Sequence, residues 1–140
     1  MTVERFHPDH LREIDLQPAQ RDTAAAFDDA EYMTALCSGL AGTLRDASGA
    51  VVACAGVVEV DDGSIGWAFL SRDAGRHMVA VVRMARRIME TAAMPILSSA
   101  ACSFPQGCRM LEILGFERQP EPVEGVSLQA GPHYLYVRSA

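Results

Sequence analysis

Between Phe69 and Ala100 the chain reads FLSRDAGRHMVAVVRMARRIMETAAMPILSSA. An apolar strand runs into Arg72-Asp73-Ala74-Gly75-Arg76, then a long helix, then a second strand. This order suits anion binding. The first N–H groups of a helix lack internal partners and sit at the positive end of its macrodipole. A phosphate can accept those bonds. Gly75 admits close approach because it carries no Cβ, and Arg72 and Arg76 add charge-assisted donors. The same residues also suit a plain strand-to-helix turn with surface arginines.

The other reactive side chains form no such constellation. Cys37, Cys54, Cys102 and Cys108 show no CxxC spacing. Cys54 lies in an apolar strand run, where a thiol behaves as a small core residue. Cys102 and Cys108 flank a turn and are expected to be reduced. The four histidines are not spaced as metal ligands, so no metal is expected. All twelve basic residues are arginine, with no lysine and no asparagine, a usage that a GC-rich genome alone accounts for. Each cation is therefore a planar fork suited to phosphate or carboxylate. The net charge of −6 argues against bulk attraction to nucleic acid.

The elements that must position these residues follow from periodicity and turns. The helix after Gly75 is expected over 75–92: Met78, Val81, Val82, Ala85, Ile88, Met89 and Ala92 make one apolar stripe. Arg76, Arg83, Arg87 and Glu90 lie opposite. The next strand, over 95–100, closes a strand–helix–strand unit, which implies a parallel pair with a right-handed crossover. Upstream, Gly49 and the Asp61-Asp62-Gly63 turn separate three antiparallel strands, about 40–46, 50–60 and 64–70. Thr2–Phe6 reads as a first strand. A short helix follows from Pro8 and ends at Pro18. Residues 21–39 read as one further helix, with Gly39 near its C-terminal end. Downstream, a helix stopped by Gly115 precedes a strand from Phe116, a loop over 118–132 and a closing strand over 133–139.

A chain of 140 residues fits one domain, 1–140, with a real core. No apolar run is long enough to span a bilayer, and the polar N-terminus has no signal-peptide pattern. The expectation is a soluble, cytoplasmic α+β protein without membrane contact: a mixed, mostly antiparallel central sheet with one parallel crossover.

This element order resembles the GCN5-related N-acetyltransferase (GNAT) family, a three-layer α/β fold with a splayed strand pair. Two segments carry the likeness. Arg72-Asp73-Ala74-Gly75-Arg76-His77 is similar to the family's coenzyme A loop, Arg/Gln-x-x-Gly-x-Gly/Ala, and RMLEILGFE is similar to its late helix ending in Leu-Gly-Phe. The resemblance implies acetyl-coenzyme A as cosubstrate, held by Phe69, Leu70, Arg72, Ala74, Gly75, Arg76, His77 and Met78. It implies transfer to a small-molecule or peptide amine, and a homodimer is compatible with it. His77 departs from the pattern and crowds the cradle. Leu111 stands where many members carry the Tyr that protonates the thiolate, and Phe104 where they often carry Asn. An apolar residue in the Tyr place also resembles a bacteriophage acetyltransferase-like branch.

The family's thioester carbonyl sits at backbone N–H groups beside a bulge, here near Trp67, Ala68 and Phe69. The strand 64–70 has no carboxylate or histidine, so Glu59 is the nearest base, followed by Asp61 and Asp62. Glu59 is equally a solvated strand-end residue. Ser98, Ser99, Cys102, Ser103 or Cys108 can replace the missing Tyr. Cys108, one turn before Leu111, is equally a buried structural thiol. Trp67 lines a pocket or fills the core. The alternative function is a catalytically silent GNAT-like binding or phage structural module, favoured by the missing Tyr, the missing strand base and His77.

Overall fold

The computed structural model describes residues 1–127 and 131–139. Eight strands form one sheet: β1 (Thr2–Arg5), β2 (Ala41–Arg45), β3 (Val51–Val60), β4 (Gly63–Leu70), β5 (Ile96–Ala101), β6 (Glu117–Arg118), β7 (Val123–Ser127) and β8 (Gly131–Arg138). The order is β1-β2-β3-β4-β5-β8-β6, with β7 also on β8. Every pairing is antiparallel except β4 with β5.

The period-two alternation sorts side chains onto two faces. On one face, α3 (Met78–Met89) and α4 (Pro105–Ile113) bury Leu70, Val52, Ala55, Val81, Ala85, Ile88 and Leu111. On the other, α1 (His10–Glu13), a 3-10 helix (Pro18–Asp28) and α2 (Ala30–Leu36) cover Phe6, Leu16, Phe27, Leu36, Cys54 and Phe69. The apolar stripe of α3 faces inward as its spacing requires, though regular helix begins at Met78, after a 3-10 turn at Ala74–His77. Gly115, with φ of +90°, ends the late helix.

Two expectations are corrected. The helix over 21–39 is broken at Asp29, whose extended backbone and side chain, accepting from the Glu31 and Tyr32 N–H groups, start α2 afresh. Upstream the chain is a 3-10 helix over Pro18–Asp28, tied to β4 by the Gln17 N–H and the Gln20 side chain. The loop over 118–132 contains β7, paired to β8; its residues 128–130 lie outside the described residues.

A polar tie joins β1, β2 and α1. Arg45 donates to both Glu13 oxygens at 2.9 and 3.2 Å and to Glu4 at 3.2 Å. His10 Nε2 lies 3.0 Å from Glu4, and its Nδ1 lies 2.8 Å from the buried Thr43 hydroxyl.

Candidate active site

Strands β4 and β5 share two rungs only, Ser64↔Ile96 and Ile65↔Leu97. Ser98 spans the beginning of the gap by donating to the Gly66 carbonyl at 3.0 Å. Beyond that the strands part, as expected for 64–70 and 95–100. Parted strands expose backbone donors and acceptors that a sheet would otherwise satisfy.

Gln20 occupies that edge. Its Nε2 donates to the Ala68 carbonyl and its Oε1 accepts from the Leu70 N–H, both at 2.8 Å. One carboxamide thus imitates a strand across two residues. The Gln17 N–H adds a bond to the Leu70 carbonyl at 2.9 Å, and its side chain donates to the Ser71 carbonyl at 2.9 Å and to Gln106 Oε1 at 3.1 Å. Gln106 in turn backs Gly75, where a Cβ would lie 3.2 Å from its amide nitrogen. At Gly75 the close approach is made by this side chain.

The gap opens into a cavity of about 800 Å³. Its floor includes Trp67, Ala68 and Leu70 from β4 and Ser98 and Ser99 from β5. Leu111 and Met110 of α4 close one end, and Tyr32, Leu36 and Val58 line the other side. Trp67 both packs and lines: its ring meets Phe6 edge-on at 5.1 Å, while its buried indole N–H has no partner. Burial raises the Tyr32 pKa, so that hydroxyl is neutral.

Among the residues expected to hold coenzyme A, Leu70 lines this cavity. Phe69 points to the opposite core, edge-on to Phe27 at 5.2 Å. Arg72 is exposed and pairs with Asp15 at 3.3 Å. Ala74 is fully buried, whereas Gly75 and Arg76 are exposed. His77 is half-buried at the start of α3, close enough to Asp46 to act on that carboxylate, and Met78 packs partly against the core. The buried Ser71 hydroxyl, at the base of this turn, has no partner.

The expected bulge near Trp67, Ala68 and Phe69 is absent. The β3–β4 register runs unbroken from Ala53↔Leu70 to Val60↔Gly63. Gly56 makes this possible, since its missing side chain leaves room for the Trp67 ring: a Cβ there would lie 2.7 Å from it.

Glu59 is exposed opposite Ser64 and stands apart from the cavity lining. Cys108 opens into a separate shallow pocket with Cys102, Arg109, Glu112, Arg118 and Tyr134, whereas Leu111 faces the cavity between β4 and β5. The Cys108 thiol donates to the Ala101 carbonyl at 3.7 Å. Burial, and then the neighbouring Cys108, raise the Tyr136 pKa. Sequence reasoning missed His133 and Asp22, both of which line the cavity between β4 and β5. Nothing in their local spacing marks them; β8 and the 3-10 helix carry them there. Among the described residues no group of three or more His, Cys, Asp or Glu is placed to hold a metal.

No protein-family model matches the sequence, and no curated protein matches it. Solved structures do resemble it. A phosphinothricin acetyltransferase of the GNAT superfamily from Sinorhizobium meliloti, in complex with acetyl-coenzyme A, matches with a TM-score of 0.67 at 14% identity, covering 99% of this chain and 87% of that one. A chimera of Vibrio cholerae spermidine N-acetyltransferase SpeG and hSSAT matches with a TM-score of 0.67 at 14% identity, covering 97% and 92%. A SpeG mutant from Vibrio cholerae matches with a TM-score of 0.63 at 9% identity, covering 99% and 95%. With its parallel β4–β5 pair parting after two rungs inside an otherwise antiparallel sheet, this chain has the GNAT fold.

Proposed function

We propose that the protein binds acetyl-coenzyme A and transfers its acetyl group to an amine. The observation that carries the reading is the parted edge of β4, where Ala68 and Leu70 hold a carboxamide by their backbone groups. An edge that accepts the Gln20 amide is suited to the amides of a pantetheine arm. The unpartnered Ser71 hydroxyl and the exposed Arg76 beside it suit the phosphates. The chain's residues fit such a ligand once the Gln17 and Gln20 side chains swing away.

Acetyl-coenzyme A supplies an acetyl thioester. The chain supplies position and electrostatics. Within a strand, a residue's N–H and C=O point to one side, so the Ala68 N–H points into the gap with its carbonyl. It is a preorganised donor for a carbonyl oxygen that gains charge during transfer. Leu111, apolar and facing the cavity, gives no proton to the thiolate. Holding amine and thioester together is alone worth several orders of magnitude.

Calorimetry with acetyl-coenzyme A and coenzyme A tests the reading. Binding is expected, and Arg72→Glu with Arg76→Glu should weaken it by roughly 1.5–3 kcal/mol for each charge-assisted bond lost. Unchanged affinity in the double variant places the phosphates elsewhere. Absence of heat with either ligand supports a second reading, a catalytically silent binding module. The Gln17–Gln106 contact at 3.1 Å and the Gln20 amide, which together fill the edge, favour that reading, as does Leu111.

A further inference from the structure

Resting on the acyltransfer reading, we infer that His133 is the general base, and that the acceptor it serves is a primary amine with an apolar body. His133 stands at the start of β8, opposite Ala101 of β5, and lines the cavity between the parted strands. It is nine-tenths buried, so its ring is shielded from bulk water. Its Nδ1 lies 3.1 Å from the Gly131 carbonyl. A carbonyl oxygen only accepts, so Nδ1 carries the hydrogen and Nε2 carries the lone pair. A histidine anchored through one nitrogen presents the other as a base in a fixed orientation.

The surroundings define the acceptor. Val58 and Leu36 form an apolar wall, with the ring of Tyr32 and the indole of Trp67 beside them. Such a wall takes up a hydrocarbon or aryl group, while the amine end reaches His133 near the thioester. The titratable groups that line the same cavity as His133 are Asp22 of the 3-10 helix and Tyr32 of α2. Across β7 its partner is Val123, flanked by the exposed Glu124, and Cys102 follows Ala101 at the end of β5.

Nε2 removes one proton from the ammonium form and becomes imidazolium. The freed nitrogen forms the N–C bond to the thioester carbon as the C–S bond breaks. The second proton lost by that nitrogen goes to the departing thiolate, so the products are the amide, the thiol and protonated His133.

The test uses the full chain with acetyl-coenzyme A and phenethylamine, and methylamine as the probe without an apolar body. In the wild type kcat/KM for phenethylamine should fall at low pH along a limb whose midpoint equals that of His133 measured by nitrogen NMR. The same spectra should show neutral His133 protonated on Nδ1. His133→Asn keeps a donor for the Gly131 carbonyl and lacks the base. It should fold, bind acetyl-coenzyme A normally, lose about 10²–10⁴-fold in kcat/KM and lose the limb. His133→Gln provides the same readout if the Asn variant unfolds. Retention of rate and limb in either folded variant overturns the assignment. So do a neutral ring protonated on Nε2, bound acetyl-coenzyme A without phenethylamine turnover, and equal use of methylamine. Failure to bind acetyl-coenzyme A at all overturns the acyltransfer reading first, and calorimetry separates that outcome from the others.

Discussion

Replacing Gln20 by Ala should do two opposite things. The side chain makes two neutral bonds of 2.8 Å to the Ala68 carbonyl and the Leu70 N–H. Each bond of this kind contributes about 0.5–1.5 kcal/mol net, so their loss should destabilise the fold by roughly 1–3 kcal/mol. For a chain of this length that is a fall in Tm of roughly 2–4 °C per kcal/mol. On the proposed reading, coenzyme A displaces the same carboxamide to reach the β4 edge. Its apparent affinity in the wild type is therefore reduced by the fraction of molecules in which the edge is free. Removing the competitor should tighten binding by about 5–150-fold, the same 1–3 kcal/mol read on the other side of the equilibrium.

Thermal unfolding of the apo protein and calorimetry with coenzyme A, on wild type and Gln20→Ala, give both numbers. Lower Tm with tighter binding is the expected pair. Lower Tm with weaker binding means that Gln20 holds the ligand itself, so the competition argument fails. An unchanged Tm means that the two bonds contribute nothing, and the account of the edge fails with them.

Three further outcomes are expected. Leu111→Tyr introduces a hydroxyl into the cavity and should raise acetyl transfer or leave it unchanged. If it folds, binds acetyl-coenzyme A normally and abolishes a brisk activity, Leu111 shapes the acceptor pocket instead. The Arg45 hydrogen bonds hold the Glu13 carboxyl below its usual range, so its stabilisation is present above the unfolded pKa and is lost as pH falls through the lower folded value. Urea midpoints should show Glu13→Gln less stable than wild type at neutral pH, with the gap closing in acid; a constant gap rules out the linkage. Gly56→Ala puts a Cβ 2.6 Å from that of Ala41 and 2.7 Å from the Trp67 ring, and should cost about 1–3 kcal/mol by overpacking, read as a lower Tm with altered tryptophan fluorescence.

The elements that local pattern could specify were legible in the sequence. The stripe of α3 buries one side of a regular helix, and Gly49 and Gly63 mark turns with φ of 89° and 148°. The parallel crossover followed from chain length and handedness alone. The segment over 21–39 was not legible in the same way. The run around Ala24–Ala26 has no one-sided stripe, and the chain entering it is held by Gln20 contacts 48 and 50 residues away, at Ala68 and Leu70. Helix propensity is a weak prior that tertiary context can override.

The site divides along the same line. Arg72-Asp73-Ala74-Gly75-Arg76 was readable as a strand-to-helix turn because such a turn is local, yet its neighbours include Gln17, Gln20 and Gln106, which no spacing rule links. His133 reaches the cavity because β8 lies against β5, and that pairing spans more than thirty residues. A motif can therefore report the turn without reporting whether the turn is open. The polar groups that decide this are the side chains of Gln17 and Gln20, which bond the Ser71 and Ala68 carbonyls and the Leu70 N–H, with Gln106 accepting from Gln17 behind them. Apolar side chains in the gap would leave the Ala68 carbonyl and the Leu70 N–H without partners, so any filler of this edge has to be polar. A carboxamide meets that need and can be exchanged for another amide, so the filling that favours a silent module when it is permanent becomes a ligand site when it exchanges, and coenzyme A binding to Gln20→Ala separates the two.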